Sequence, residues 1–331
     1  MFGKLISILK ENPKKIVFTE GTDPRILEAS SRLLASTFLA PILIGKKEEV
    51  EKVAEESGFN IRGAEIIDPE SYEEMDAMAE ALYEIRKSKG MTLEQARETC
   101  LQANYFGTML VKMGKADALL GGATLGGPPP HPQPDTVRPA LQIVKTKPGK
   151  KIVSSCFILV RESATDGNTV LAMGDCAINI KPTEDELAEI AVECAECAKI
   201  FGIDPKVGFL SYSTLGSGKG EDVDKMREAA AKAKKMAPEL PIIGEVQFDA
   251  AVSPRVARTK CPDSNVAGSV NTFIFPDINA GNIGYKIAQR LGHFDAYGPI
   301  MLGLNAPIND LSRGCNAQEV YSMAIITAAL A

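Results

Sequence analysis

Toward its end the chain reads NDLSRGC, residues 309–315, which sets a hydroxyl (Ser312), a permanent cation (Arg313) and a glycine (Gly314) at the entry of a final helix. A carboxylate, Glu319, follows within a turn. An arginine fork matches the oxygens of phosphate, a hydroxyl steadies developing negative charge and a carboxylate takes up a proton, so these residues have the parts to hold an anion and move a proton beside it. Asn316-x-x-Glu319 is equally the spacing of a helix cap, with the glutamate at the third helical position, so Glu319 carries two readings. Arg138, in DTVRPALQ, precedes a helix that Pro139 can start, and Arg86, in EIRKSKG, stands at the end of another. Singly each is an ordinary solvated or helix-end charge; with Arg313 they can hold a small polyanionic ligand.

Two glycine-rich junctions could meet an anion through backbone N–H groups. STLGSGKGED, 213–222, carries Ser213 and Ser217 between an apolar strand and a helix. It is not a P-loop, because Ser213 stands where the first glycine belongs and Gly220 where a hydroxyl is needed. PDINAGNIGYKIAQRL, 276–291, places Asn279, Gly281, Asn282, Gly284 and Tyr285 where a strand gives way to a helix, the position at which open α/β sheets bind ligands.

The elements that must carry these residues alternate along the chain. KKIVFTEG (14–21), APILIGK (40–46), ADALLGGAT (116–124), KVGFLSYST (206–214), PIIGEVQ (241–247) and NTFIFPD (271–277) are predicted strands with helices between them. KIVSSCFILVRE and NTVLAMGDCAI, around 151–178, form an antiparallel pair joined at Asp166-Gly167-Asn168. Thr92-x-x-Gln95 and Thr183-x-x-Glu186 are capping boxes that open helices. The pattern predicts an α/β fold with a mostly parallel sheet. One stretch breaks the rhythm: GGPPPHPQP, 126–134, must be an extended or turning loop, because proline fixes φ and removes donors.

Composition narrows the chemistry. At ~150 residues per domain, 331 residues make about two domains. Apolar residues are 45% and charged residues 24%, as in a soluble globular protein. With 37 Lys and Arg against 43 Asp and Glu, the net charge of -6 repels nucleic acid and anionic membranes. Only two histidines occur, His131 and His293, which excludes a multi-histidine metal cage and leaves little room for histidine acid/base work. Seven dispersed cysteines fit reduced thiols in the cytoplasm, and Cys194-x-x-Cys197 lies within a helical apolar period, as core packing rather than a zinc or redox motif. The opening residues read as a helix and not a signal peptide, and no run of ~18 apolar residues predicts a membrane span.

TEGTDPR (19–25), YFGTMLVKMGKADALLGGA (105–123), DTVRPALQIVKTKPG, LSYSTLGSGKG, GEVQFDAAVSP, VAGSVNTFIFPDINAGNIGYKIAQRL and GPIMLGLNAPINDLSRGC, in this order over essentially the whole chain, resemble the phosphate acetyltransferase (phosphotransacetylase) family. The resemblance implies two three-layer α/β/α domains flanking a cleft, a fold shared with isocitrate and isopropylmalate dehydrogenases. Domain I would comprise 1–148 with 297–331, and domain II, a cleft wall with the dimerisation surface, 149–296. It further implies a cytoplasmic homodimer that exchanges an acetyl group between coenzyme A and phosphate. CoA would be co-substrate, with no metal, no other cofactor and no covalent acyl-enzyme. By position, Ser312, Arg313 and Glu319 would be catalytic. Arg86, Arg138, Thr136, Ser213, Ser217, Asn282 and Tyr285 would bind acetyl-CoA, CoA, acetyl phosphate or phosphate. Two departures stand out: GATLGGPPPHPQPD replaces a shorter loop carrying Ser and Thr, and Glu319 replaces an aspartate. Phosphate butyryltransferase, or a CoA-binding protein whose altered 124–134 loop impairs catalysis, are the alternatives.

Overall fold

The computed structural model describes residues 2–123, 136–162 and 168–331. The chain divides into two compact units, Met1–Pro148 with Leu304–Ala331, and Gly149–Gly303. The proline-rich run with His131, and Asp166-Gly167 of the predicted antiparallel junction, lie outside the described residues.

In the first unit the strands are β1 (Lys14–Phe18), β2 (Leu39–Ile44), β3 (Glu65–Ile67), β4 (Ala118–Gly121) and β11 (Ile308–Asp310). The helices are α1 (Phe2–Glu11), α2 (Pro24–Ser36), α3 (Lys47–Glu56), α4 (Met75–Arg86), α5 (Leu93–Cys100), α6 (Ala103–Lys112), the single turn α7 (Val137–Pro139) and α13 (Ala317–Ala329). The sheet is parallel, in the order β11-β4-β1-β2-β3. Its central strands are apolar runs because helices cover both faces. Helix α13 packs on α1, α2, β1 and β4, while α6 packs on β1 and β4 from the other side. From β1 the chain steps outward through α2, β2, α3 and β3, then returns through α4–α6 to lay β4 against the opposite edge of β1. Strand order therefore reverses between β1 and β4, and at such a switch point the connections leaving the strands' carboxyl ends diverge, opening a crevice.

The second unit holds β5 (Ser154–Arg161), β6 (Thr169–Gly174), β7 (Val207–Leu210), β8 (Ile242–Val246), β9 (Thr272–Ile274) and β10 (Asp295–Leu302). Its helices are α8 (Glu184–Ile200), α9 (Glu221–Met236), α10 (Phe248–Val252), α11 (Pro254–Lys260) and α12 (Ile278–Leu291). The sheet order is β10-β5-β6-β9-β7-β8; β5 is antiparallel to both neighbours and the remaining pairs are parallel. Helices α8 and α9 cover one face, and α10 and α12 pack on the apolar side chains of the other. The return to the first unit falls at 304 rather than 297, because β10 pairs along its length with β5. All seven cysteines are free and buried. Those of α8 lie in the core: Cys194 Sγ is 3.9 Å from the Ser155 carbonyl.

Candidate functional site

At the end of β11, the Leu311 N–H donates to the Gly121 carbonyl (2.7 Å), and the chain then lifts Ser312, Arg313 and Gly314 into solvent. The Cys315 N–H donates back to the Ser312 carbonyl (2.9 Å), which closes the turn, and Cys315 itself is buried. Burial pushes its thiol up to about 11, so it is not a thiolate nucleophile. Asn316 then caps α13. Its side chain accepts from the Glu319 N–H, and the Asn316 N–H donates to Glu319 Oε2, both at 2.9 Å. The cap reading of Glu319 is thus realised. Glu319 stays half-buried, and its Oε1 accepts no hydrogen bond among the described residues.

The turn is anchored from across the switch point by Arg25, in the connection leaving β1. Arg25 Nη1 donates to the Arg313 and Cys315 carbonyls, each at 2.9 Å, and Nη2 donates to the Ala123 carbonyl beyond β4. Asp23 grips the same guanidinium from below, accepting from Nε (3.0 Å) and Nη2 (2.7 Å); this hydrogen-bonded pairing raises the arginine's pKa further, against burial. Beside it, Glu20 Oε1 accepts from the Gly122 N–H at 2.9 Å, and Oε2 is buried without a partner among the described residues. Burial pushes the Glu20 carboxyl above its ordinary range, opposed by the Gly122 hydrogen bond. Gly122 is glycine for two reasons: its φ is +90°, and a Cβ there would strike the Asp310 side chain.

Thr136 is buried beside Gly121, with its hydroxyl unpartnered among the described residues. Arg138 follows it, exposed, on α7, which packs beside β11 and continues as a turn through Val144. Helix α4 packs on that continuation and ends at Arg86, half-buried, with Nε unpartnered among the described residues. Ser312, Arg313, Glu319, Thr136, Arg138 and Arg86 therefore all belong to the first unit.

The remaining expected site residues belong to the second unit. The amides of the 213–218 loop are already taken. Gly216 N–H (2.6 Å) and Ser213 Oγ (3.0 Å) donate to Glu245 Oε1, while Gly218 N–H donates to Ser213 Oγ (2.8 Å). Arg227 Nε holds Glu245 Oε2 at 3.0 Å. Burial would push the Glu245 carboxyl up, but these bonds outweigh it and hold the group below its usual range. The cradle is filled by the protein's own carboxylate, and Ser213 is fully buried. Ser217, though exposed, accepts the Thr214 N–H at 2.9 Å. Asn282 donates to the Cys176 carbonyl at 3.1 Å, and Tyr285 stacks on Phe157 with ring centres 4.1 Å apart. The nearby glycines serve close packing: a Cβ on Gly281 would lie 2.5 Å from the Asp175 carbonyl. Ser213, Ser217, Asn282 and Tyr285 thus each have an intramolecular partner within the second unit.

Sequence reasoning passed over Arg25 and Asp23. A signal was present: Asp23-Pro24 is a cap followed by an N1 proline, and Arg25 then places a cation at the positive end of a helix dipole. A charge in that unfavourable position has other work.

Among the described residues no group of three potential metal ligands occurs, and no helix is long and apolar enough to cross a membrane. The phosphate acetyl/butaryl transferase family model matches residues 1–328. The chain is 53% identical over 317 residues to a phosphate acetyltransferase of Bacillus subtilis (strain 168), covering 96% of this chain and 94% of that protein. A crystal structure of a phosphotransacetylase from Streptococcus pyogenes superposes with a TM-score of 0.92 at 52% identity, over 99% of this chain and 97% of that one. At 13% identity and a TM-score of 0.56, a putative 4-hydroxythreonine-4-phosphate dehydrogenase from Salmonella typhimurium, over 97% of this chain and 100% of that one, shares the fold alone. The α/β architecture and the full-length matches agree, and the chain belongs to the phosphate acetyl/butaryl transferase family.

Proposed function

We propose that this chain is a phosphate acetyltransferase, catalysing acetyl-CoA + phosphate ⇌ acetyl phosphate + CoA. One observation carries the reading: the Ser312–Arg313–Gly314 turn stands exposed and anchored beyond β11 in a chain whose full-length relatives bear that name. In the direction of CoA acetylation, the CoA thiol attacks the acetyl carbonyl directly within a ternary complex. Arg313 draws charge onto its guanidinium from the departing phosphate and polarises the carbonyl, and the Ser312 hydroxyl steadies the emerging thiolate. Arg138, Arg86 and Thr136 supply the further cations and hydroxyl that hold CoA and phosphate.

Glu319 takes the thiol proton. A thiol gives up its proton far less readily than a carboxylic acid does, so the transfer is concerted with attack. The remaining terms of the reading are a cytoplasmic homodimer, coenzyme A as co-substrate, no metal or other cofactor, and neither nucleic acid nor membrane as partner. The net charge of -6 supports the exclusion of nucleic acid.

The test is thiol release from acetyl-CoA on adding phosphate, with butyryl-CoA in parallel. Turnover should favour acetyl-CoA, and Arg313→Ala should lower it ~10²–10³-fold. A wild-type protein that releases no thiol refutes the activity, and an Arg313→Ala protein of near-normal turnover refutes the site.

A further inference from the structure

We infer that Arg25 is a positioning residue for the reaction: it fixes the Ser312–Arg313–Gly314 turn through that turn's backbone carbonyls and binds no substrate itself. The inference rests on the site reading above. Three separate connections meet at this guanidinium. One is its own, leaving β1, one is the exit from β4 at Ala123, and one is the exit from β11 at Arg313 and Cys315. The Asp23 carboxylate accepts from two of its nitrogens and so sets the plane of the fork. With Nε and Nη2 on Asp23, Nη2 also on Ala123 and Nη1 on two carbonyls, the donors are committed, and a phosphate could be bound only by releasing the turn.

The turn needs such an anchor. Gly314 gives it freedom, and its own bonds are the Leu311 N–H to Gly121 and the Cys315 N–H to Ser312. Without Arg25, two carbonyls would be left to solvent, and Arg313 would sample positions off the productive one. Lysine cannot substitute, because a single ammonium at the end of a flexible stem lacks the planar fork that reaches Asp23, Ala123 and both turn carbonyls together.

The experiment is steady-state kinetics of Arg25→Ala and Arg25→Lys on the full chain, with Arg313→Ala as reference and guanidine added as a rescue reagent. For Arg25→Ala, kcat should fall ~10²-fold while KM for acetyl-CoA and for phosphate changes less than about threefold, the signature of lost geometry rather than lost binding. Arg25→Lys should not recover kcat, and free guanidinium should raise kcat of Arg25→Ala several-fold. A rise in KM with kcat intact, or wild-type kinetics for Arg25→Ala, overturns the inference. Should Arg25→Ala fail to fold, Asp23→Asn weakens the grip while leaving the arginine in place, and kcat unchanged in that variant also overturns it. If Arg313→Ala itself keeps full turnover, the site reading has failed, which the reference reports separately.

Discussion

The carboxylate of Glu319 has two oxygens, and the helix cap uses one of them: Oε2 accepts the Asn316 N–H. Capping and proton transfer are therefore compatible in one side chain, and substitution can separate them. Glu319→Gln keeps an oxygen for the cap, so stability should change by less than ~1 kcal/mol in denaturant titration. Turnover should fall ~10²-fold or more, because an amide takes no proton at neutral pH. A stable, fully active Glu319→Gln protein would leave Glu319 as a cap alone. The Asn316–Glu319 cap was legible in the sequence because its partners stand three residues apart, within the first helical turn. The role of Arg25 was not, because the carbonyls it binds lie 288, 290 and 98 residues away.

At the scale of elements, local signals held where the partner was local. The boxes at Thr92–Gln95 and Thr183–Glu186 both formed, and the apolar runs became strands. The predicted strand 206–214 is shorter in the structure: β7 stops at Leu210, and the Ser213 N–H turns back to Ser211 Oγ. The glycine-rich loop after β7 shows where local reasoning ends. Its exposed-looking amides advertise an anion site, but the anion is Glu245, on a strand 32 residues from Ser213. Removing that carboxylate strands the buried Ser213 hydroxyl and the Gly216 N–H. Glu245→Ala should lower unfolding free energy by ~2 kcal/mol, read from urea denaturation, and Glu245→Gln by less, since its amide oxygen still serves the loop. A loss below ~0.5 kcal/mol for the alanine variant would mean that the loop holds its shape without an acceptor.

Over the whole molecule, alternation of strands and helices announced parallel α/β architecture, but the order of strands depends on which faces the crossovers cover, and no local period records that. Exposed apolar surface is likewise invisible in composition. On α12, Ile283, Ile287 and Leu291 recur every four residues and are 57%, 54% and 77% exposed. Ile180, 67% exposed, adjoins the start of this stripe, its carbonyl accepting the Ile278 N–H at 3.1 Å. Several aliphatic side chains this exposed along one helix exceed the scatter of single apolar residues on a monomer's surface. In the proposed homodimer, a second copy seated on this stripe would cover it. Ile283→Glu combined with Ile287→Glu places charge where a closed two-fold interface must be dry, and each charge is met again by its symmetry mate. Sedimentation should then show wild type at twice 35.4 kDa and the double variant at one chain mass, with unchanged far-UV circular dichroism. A wild-type monomer would remove the dimer, whereas a double variant that still pairs would move its interface off α12.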